Sequence, residues 1–451
     1  MIILGGGPSG LSVAWRLAER GVAADILELE DYAGGLSTSI RQDGYALDIG
    51  PHSFISEDDA VIEKVQGLFG DDFHFVKRSA RLCLKGKYLK YPLSADDVVL
   101  KLGVATGFRC LLSYIGQRIF GKRPAVGPDD EMNVEDWARS RFGSYLYELF
   151  FHPYTEQFWK LACAEVSADA IPTSKKLSFF RTLRLLLVRP EKKENLSLTE
   201  REILASYYPL DGFGAIWEKV AAQTTTLGGN LHFGHKVVGI RRDGQRYIVT
   251  TRSQDGNTQT FEGDVVVSTI PINELPGMLT PMPPADVVDA AAKLQFLSLV
   301  VLYIATDRDP LLDCQYQYFV SKAFNRLADM NQFSPKTSPD GQNLLSVEFS
   351  CHFGDAVWNR TKEELLDLCI EDLEREGILR RDEVRDLILV KARHAYPMFR
   401  LGYGRHLACV RTYLNSIEGL RIMGRVGNFE YVDADQCLKS GFALADEIAG
   451  P

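Results

Sequence analysis

The chain contains 451 residues, of which 45% are hydrophobic and 25% are charged, a composition typical of a soluble globular protein. At about 100–200 residues per domain, this length predicts two or three domains. The formal net charge of −9 disfavours a nucleic-acid-binding protein, which would usually be basic. Composition excludes these classes but indicates no function, which has to come from local motifs.

Cysteine usage and hydropathy bear on the compartment. Eight scattered cysteines without metal-type spacing favour reduced thiols, a cytoplasmic location and no metal site. No apolar run reaches the roughly 18–20 residues of a membrane-spanning helix, and no signal peptide is recognisable, so we expect no stable membrane insertion. The segment at 177–188 carries two arginines among Phe and Leu and could lie on a membrane surface, although a helix packed within the protein is the favoured interpretation.

A glycine-rich turn lies between the first predicted strand and a helix predicted at about 10–20. The turn at 5–10, GGGPSG, fits the G-x-G-x-x-G pattern of dinucleotide-binding proteins. Gly5 permits a tight turn, Gly7 allows the backbone to approach a pyrophosphate, and Gly10 lets the helix pack closely on the strand. The helix N-terminus favours the bound anion. The turn therefore predicts a dinucleotide site.

An acidic residue completes this pattern at the end of the second predicted strand, 24–30. Glu28 lies 18 residues after Gly10, where a carboxylate can accept hydrogen bonds from a ribose diol, and Glu30 is the competing candidate. Six residues after Glu28 comes the segment 34–37, GGLS. This arrangement resembles the Glu-x6-Gly-Gly extension of FAD enzymes in the amine oxidase superfamily.

Later segments resemble the same superfamily. The apolar run at 264–271, DVVVSTIP, is similar to the strand that closes the FAD domain, and the strand containing Val237 is similar to one whose backbone reads adenine. The resemblance implies FAD as the cofactor, with NAD(P)H as a candidate external reductant.

The match extends across nearly the whole chain and is similar to the UDP-galactopyranose mutase and protoporphyrinogen oxidase-like branch of that superfamily. It implies an α/β fold with a Rossmann-like FAD-binding domain of the GR2 type and inserted helical and β-sheet substrate-binding parts. The expected FAD-binding segments are 1–77, 205–275 and 401–451. A mainly helical insert is expected at 78–204, and an antiparallel-sheet substrate domain at 276–400.

Three motifs carry the catalytic residues that the resemblance implies. The segment at 50–54, GPHSF, resembles the mutase segment that places a histidine over the isoalloxazine ring. The segment at 424–435, GRVGNFEYVDAD, resembles the signature G-R-x-x-x-Y-x-Y-x-D-x-D, whose arginine lies beside the flavin. A third motif resembles the strand that supplies an arginine to the substrate diphosphate, where a guanidinium can bind two oxygens. The implied catalytic residues are His52, Arg326 and Arg425.

The remaining candidates follow from the same motifs. An aromatic-rich helix at 146–159 resembles the one that lines the nucleotide-sugar pocket, where aromatic faces can stack on uracil or hexose. The implied substrate-binding residues, for a small and anionic substrate, are Tyr154, Trp159, Lys175, Tyr396, Tyr431 and Asp433. The implied cofactor-binding residues are Gly5, Gly7, Pro8, Ser9, Gly10, Glu28, Gly34, Gly35, Leu36, Ser37, Gly50, Val237, Gly424, Arg425, Asp433 and Asp435. Asp435 is also expected to begin and cap the final helix, 435–448.

Two departures from the mutase pattern leave the reaction open. Phe429 replaces the first tyrosine of the signature, and Lys175 lies where mutases carry a second diphosphate arginine. The first hypothesis is a mutase-like isomerase that acts on a nucleotide-sugar or similar anionic substrate through N5 of reduced flavin. The second is an FAD-dependent oxidoreductase of the protoporphyrinogen oxidase or amine oxidase type, which takes hydride from its substrate. The third is a non-catalytic FAD-binding protein.

Overall fold

The structure is a computed structural model that describes residues 1–76, 78–91, 95–121, 131–171 and 206–450. The described residues form twenty strands and eleven helices of at least eight residues. In chain order the strands are β1 Ile2–Leu4, β2 Asp25–Leu27, β3 Ser39–Gln42, β4 Tyr45–Asp48, β5 Phe73–Val76, β6 Ala80–Leu84, β7 Lys87–Lys90, β8 Ser206–Pro209, β9 Asn230–His232, β10 Lys236–Asp243, β11 Arg246–Arg252, β12 Thr258–Gly263, β13 Val266–Ser268, β14 Leu279–Thr280, β15 Phe296–Thr306, β16 Tyr316–Phe319, β17 Arg326–Asp329, β18 Asn343–Cys351, β19 Asp386–Pro397 and β20 Leu420–Ile422. The helices are α1 Pro8–Glu19, α2 Asp59–Gln66, α3 Ala95–Leu102, α4 Val104–Phe120, α5 Val134–Phe142, α6 His152–Trp159, α7 Ala215–Thr226, α8 Ala285–Lys293, α9 Lys362–Arg375, α10 Tyr403–Ser416 and α11 Ala434–Ala449.

A five-stranded parallel sheet carries the glycine-rich turn. Its strands lie in the order β20-β13-β1-β2-β9, so they come from three separated parts of the chain. In β1 and β13 every residue is buried. A parallel sheet is covered on both faces, which is why these strands are continuous apolar runs rather than alternating patterns. On one face α1 and α11 pack together over Ile3, Ile26 and Val267.

A seven-stranded, mostly antiparallel sheet covers the other side of the cavity described below. Its order is β19-β15-β18-β17-β16-β6-β7. All eleven residues of β15 are buried, and they alternate between two cores. Leu299, Val301 and Tyr303 lie in the core beside the parallel sheet, whereas Leu302 and Ile304 pack in a second core with α9. Because side chains alternate along a strand, each neighbouring strand also directs every second residue toward the cavity side.

The predicted helical insert at 78–204 is only partly helical. Its first part forms the hairpin β6–β7, which joins the edge of the seven-stranded sheet through β16. The described residues at 95–121 and 131–171 are mainly helical, and a π-helical turn at Tyr147–Phe151 leads directly into α6. The segment at 177–188 lies outside the described residues. In the part of the chain that is described, no helix is long and apolar enough to cross a membrane.

The final helix begins one residue earlier than expected. Asp433, not Asp435, occupies the N-cap position of α11, and its backbone N–H donates to Oε1 of Gln436 at 2.9 Å. Asp435 lies in the first turn, where its carboxylate accepts a hydrogen bond from Ser56 at 3.1 Å. The predicted capping role of Asp435 is therefore wrong by two residues, because either aspartate fits the local sequence pattern.

Gly10 lies where α1 approaches the first turn most closely. A Cβ atom at this position would lie 2.0 Å from the carbonyl oxygen of Gly5 and 3.2 Å from Cγ2 of Ile3. Backbone atoms cannot move aside as a flexible side chain can, so residue 10 has to be glycine for α1 to stay on β1.

We expect Gly10→Ala to lower the free energy of unfolding by about 1–3 kcal/mol, because the added methyl group overpacks this contact. The measurement is thermal and urea unfolding followed by circular dichroism. Gly116→Ala within α4 is the matched control, since a Cβ there meets no atom within 4 Å and alanine favours a helix. Equal stability of the two variants would contradict the close approach.

Candidate active site

A cavity of about 1450 Å³ is lined by residues of both large sheets and of the loops that join them. Pockets for a single drug-sized ligand usually measure about 300–1,000 Å³. The cavity therefore has room for more than one ligand of that size. Lysine and arginine outnumber aspartate and glutamate among its lining residues, against the negative charge of the whole chain.

One end of the cavity is built from the first turn and the end of β2. Gly7, Pro8 and Ser9 line it, and the N-terminus of α1 has no side-chain cap, so its N–H groups remain to bind an anion. The Glu28 carboxylate accepts hydrogen bonds from the backbone N–H groups of Gly6 and Glu30. Burial raises the pKa of Glu28 above its ordinary value. Between the two acidic candidates, Glu28 is the one held against the turn.

The second glycine pair, predicted as part of the cofactor site, lies directly against the first turn. Gly34 and Gly35 have φ angles of +104° and +50°. A Cβ on Gly35 would lie 3.1 Å from the Cα of Gly7. Gly35, Leu36 and Ser37 line the cavity, whereas Gly34 lies behind it against Thr38 and Trp217. The two glycine turns therefore form one backbone surface.

His52 lies in the cavity wall with an unpaired ring nitrogen. Its Nδ1 atom is buried and has no hydrogen-bond partner within the described structure. The imidazole stacks on Phe213, with ring centroids 5.6 Å apart and planes inclined by 25°. Loss of solvent, followed by the nearby charges of Arg326 and Arg425, lowers the pKa of His52 to about 3.

The unpaired nitrogen is a position where a ligand would supply the missing hydrogen bond. It occurs in the same cavity as the uncapped helix N-terminus, the paired glycine turns and the buried carboxylate of Glu28. The residues present therefore fit a flavin dinucleotide, whose pyrophosphate the N-terminus of α1 would bind and whose ring system His52 would contact.

Arg326 points into the cavity, but a carboxylate already binds it. Strand register places Arg326 of β17 opposite Glu348 of β18. The Arg326 Nε donates to Oε1 of Glu348 at 2.8 Å, and Nη2 donates to the same oxygen and to the carbonyl of Pro51. Burial raises the pKa of Glu348 above its ordinary value, and the Arg326 guanidinium opposes that rise. The two side chains are 15% and 5% exposed, so they form a buried pair without net charge.

Tyrosines surround this pair. The Arg326 guanidinium lies 5.0 Å from the ring centre of Tyr316 and 5.8 Å from that of Tyr318. Tyr91 packs against Tyr318, with centroids 4.6 Å apart. All three tyrosines line the cavity, which therefore has an aromatic interior around a neutralised arginine.

A second cation–aromatic group forms at the start of the final segment. The Arg425 guanidinium lies 4.9 Å from the ring centre of Tyr431 and 5.8 Å from that of Tyr396. These two rings are nearly parallel, with centroids 6.2 Å apart. Arg425 also donates two hydrogen bonds to the carbonyl of Val432, at 2.9 and 3.1 Å, and lies 3.6 Å from a carboxylate oxygen of Asp433.

The last segment also meets the first turn. Gly424 has a φ of +87°, and a Cβ there would lie 2.7 Å from the hydroxyl of Ser9. Most predicted site residues line this one cavity. They are Gly5, Gly7, Pro8, Ser9, Glu28, Gly35, Leu36, Ser37, His52, Val237, Arg326, Tyr396, Gly424, Arg425, Tyr431, Asp433 and Asp435.

Two predicted substrate-binding residues of α6 do not line the cavity. Trp159 is a core residue, packed edge-on against Phe158 and Phe399. Tyr154 is half-buried and stacks on Phe150 at 5.3 Å, although it lies near Arg326. Both rings belong to the aromatic packing of the helix. An aromatic-rich helix fits such packing as well as it fits a ligand pocket.

Two other predicted residues lie elsewhere. Gly10 lies beneath the first turn, and Gly50 lies behind the Arg326–Glu348 pair, where a Cβ would be 3.6 Å from Oε1 of Glu348. Lys175 lies outside the described residues. Phe429, the departure from the signature, is 1% exposed and packs against Phe296 and Phe399. Its position needs no hydroxyl group, which explains why phenylalanine fits there.

Sequence reasoning missed Glu348 and the tyrosines of β16. Glu348 is the single charge in the strand NLLSVEFSC, and such a residue in a buried strand has to be paired. That signal predicts a buried partner but does not identify Arg326. Tyr316 and Tyr318 are two positions apart in their strand, a pattern that is typical of any half-buried strand and indicates no function.

Asp48 supports the cavity wall from behind and is fully buried. Its carboxylate accepts hydrogen bonds from the hydroxyls of Ser39 at 2.5 Å and Tyr208 at 2.9 Å, and from the backbone of Phe213 at 3.2 Å. The Tyr303 hydroxyl donates to its carbonyl. Asp48 therefore connects β4 to the segment that holds Phe213 beneath His52. Desolvation raises the pKa of Asp48 from 3.8 to about 6.

The sequence is similar to one protein family and to individual relatives with known names. The sequence pattern of the family described as flavin containing amine oxidoreductase matches residues 8–447. The chain is 22% identical to a chloroplastic protoporphyrinogen oxidase of Nicotiana tabacum, over 100% of this chain and 85% of that protein. It is 20% identical to a coproporphyrinogen III oxidase of Bacillus subtilis (strain 168), over 99% of this chain and 97% of that protein.

The fold is also found among solved structures. The crystal structure of a reduced UDP-galactopyranose mutase superposes with a TM-score of 0.81 at 21% identity, covering 99% of this chain and 94% of that one. At this identity the likeness shows the fold alone. The findings confirm the predicted superfamily and α/β fold class, and they support a flavin but not NAD(P)H.

The raised pKa of Asp48 predicts a pH dependence of stability. A group whose pKa is higher in the folded protein stabilises it fully below the unfolded value of 3.8, and this contribution is lost as pH rises through about 6. Between pH 5 and 7.5, wild type should therefore lose about 1 kcal/mol of unfolding free energy relative to Asp48→Asn. Urea unfolding at both pH values measures the difference. Asp255→Asn, in an exposed turn, should show no such trend, and a pH-independent difference for Asp48→Asn would contradict the prediction.

Proposed function

Because the chain belongs to the flavin containing amine oxidoreductase family, we propose that it is an FAD-dependent oxidoreductase that takes hydride from a carboxylate-bearing organic substrate. The observation that carries this proposal is the buried pair of Arg326 and Glu348. The mutase hypothesis assigns Arg326 to a substrate diphosphate, whereas here the guanidinium is already bound by a carboxylate.

The free energy of the folded protein favours keeping Arg326 and Glu348 paired. Removing one partner of a buried ion pair typically costs about 3–5 kcal/mol, because the other charge is left without compensation. A diphosphate that bound Arg326 would bring its negative charges beside the Glu348 carboxylate and weaken the pair. A substrate whose reacting carbon is uncharged would not disturb the ion pair in this part of the cavity and would not incur this cost in free energy.

The chain's own residues divide the cavity into two environments. Tyr91, Tyr316 and Tyr318 form an aromatic interior that excludes water and accommodates an apolar reacting carbon. Lys90 and Lys391, which also line the cavity, are exposed and supply positive charge at its rim. A substrate with an apolar body and peripheral carboxylates would match this arrangement, with its charges held at the rim.

Around the reacting centre, each residue has a positioning task. When bound, FAD would supply the ring that accepts the hydride. His52 would offer its unpaired Nδ1 to a ligand atom, with Phe213 holding the imidazole plane. The pKa of about 3 keeps this histidine uncharged at neutral pH, so it can accept or donate one hydrogen bond without adding charge. Arg425 would place its cation beside the ring system.

The names of the full-length relatives suggest probes. Those proteins are named as oxidases of protoporphyrinogen and coproporphyrinogen III. Coproporphyrinogen III is a carboxylate-bearing reduced molecule, and we propose it as the first substrate to test.

The second candidate function is a mutase-like isomerisation of a nucleotide-sugar. One observation favours it: Arg425 lies against the parallel rings of Tyr396 and Tyr431, a cation and two hydroxyls able to bind phosphate oxygens. In this alternative the diphosphate would bind there, away from Arg326.

Nucleotide binding to the reduced protein distinguishes the two functions. We expect UDP to leave the flavin fluorescence of dithionite-reduced wild type unchanged, because Arg326 is occupied. Glu348→Gln removes the negative charge but keeps the side-chain shape, and it should raise the affinity for UDP by about tenfold or more. Glu274→Gln, which changes a cavity carboxylate that is paired with Arg393 and His394 instead, is the matched control.

Two results would sink the proposal. One is tight binding of UDP to wild type that is lost in Arg326→Ala or in Arg425→Ala with FAD content unchanged. The other is an equal gain of affinity in both carboxylate variants, which would mean that overall charge and not the Arg326 pair controls binding.

A further inference from the structure

An apolar face of α3 and α4 is exposed to solvent. Six apolar side chains of α4 are between 41% and 73% exposed: Val104, Phe108, Leu111, Leu112, Ile115 and Ile119. Leu100 on α3 is 80% exposed, and Phe120 at the end of α4 is 84% exposed. Such a continuous apolar patch on a protein surface marks a site of interaction.

Helix geometry explains why these residues form one stripe. The six α4 residues are spaced by four, three, one, three and four positions, which places them on one side of a helix with 3.6 residues per turn. The opposite side carries the buried Tyr114 and packs toward α5. The helix is therefore held by one side while its apolar side faces outward.

The charges around the stripe are mainly positive. Lys101, Arg109 and Arg118 are exposed on the same two helices, and Lys101 is paired with Asp97 of α3 at 3.1 Å. The sequence from 95 to 127 contains two Asp residues and no Glu, against five Lys or Arg residues, in a chain whose net charge is −9. An apolar stripe with cationic flanks is the pattern of helices that lie in the plane of an anionic lipid surface.

The stripe adjoins the cavity. The strand β7 ends at Lys90, which lines the cavity with Tyr91, and α3 begins four residues after Tyr91. Val98 of α3 packs with Leu149 and Phe150 in a cluster that Tyr91 and Tyr318 also contact. The exposed stripe and the aromatic interior are therefore two sides of one packed unit.

We propose that α3 and α4 dock this protein on the surface of an anionic lipid bilayer. The apolar side chains enter the boundary between headgroups and acyl chains, and Arg109 and Arg118 lie among the headgroups. With 17 residues, α4 covers about 25 Å of membrane surface. The bilayer is favoured over a second copy of this chain, because an isologous dimer through the stripe would place the same positive charges opposite each other.

Vesicle co-sedimentation of the full-length protein tests the proposal. Binding is expected to vesicles with a mixture of phosphatidylglycerol and phosphatidylcholine, to fall with phosphatidylcholine alone, and to weaken as salt increases. The double variant Phe108→Ser and Ile115→Ser should lower partitioning by about tenfold or more, because two membrane-inserted side chains are lost. The double variant Met282→Ser and Leu401→Ser, at residues that are 64% and 42% exposed outside the stripe, should bind like wild type.

Each alternative binding partner of the apolar stripe gives a different experimental result. Absence of vesicle binding would overturn the proposal, as would equal binding of the two double variants. A dimer in analytical ultracentrifugation that dissociates in the Phe108→Ser and Ile115→Ser variant, without lipid binding, would assign the stripe to a second copy. Binding is measured without substrate, so the outcome is independent of the proposed oxidoreductase reaction.

Discussion

The buried pair of Arg326 and Glu348 is the contact on which our proposal for the substrate rests. It neutralises the guanidinium of Arg326, and it joins β17 to β18, a strand that is buried along its whole length. The aromatic walls around the pair follow from the same register, because Tyr318 lies opposite Arg326 on the next strand. The arrangement of side chains at the centre of the cavity therefore depends on the register of these strands.

The end of the cavity at the first turn depends on a different constraint, the close approach of backbone segments. Gly10, Gly35 and Gly424 each lie so close to a neighbouring segment that an added Cβ atom would approach it to 3.1 Å or less. Segments from the beginning, middle and end of the chain contribute to the parallel sheet, so this end forms only when distant parts of the chain have folded together. Both sheets are needed to form the cavity.

The sequence predicted which residues lie together at the first turn more completely than which residues surround Arg326. The turn at 5–10, Glu28 and the pair at 34–35 are close in sequence, and each has a local physical requirement that restricts the residue type. Arg326 was identified from its motif, but its partner lies 22 residues away and depends on which strands pair and in which register. Local patterns do not contain that information.

The residues whose positions differ from the expectation can be explained in a similar way. On an aromatic helix such as α6, every ring fits both a core and a pocket, and only packing decides that Trp159 belongs to the core. Phe429 looked like a defect in a binding signature, yet the structure places it in the core with Phe296. Asp433 and Asp435 both suit a helix start, and the choice between them depends on where the preceding loop approaches α11.

The most direct test of hydride transfer is the absorbance of the bound flavin when the oxidised protein is mixed anaerobically with coproporphyrinogen III. We expect the oxidised-flavin absorbance to be lost as substrate is consumed, with one flavin reduced for each hydride removed. A flavin that stays oxidised in this mixture, while the pre-reduced protein isomerises UDP-galactopyranose without net redox change, would contradict this expectation.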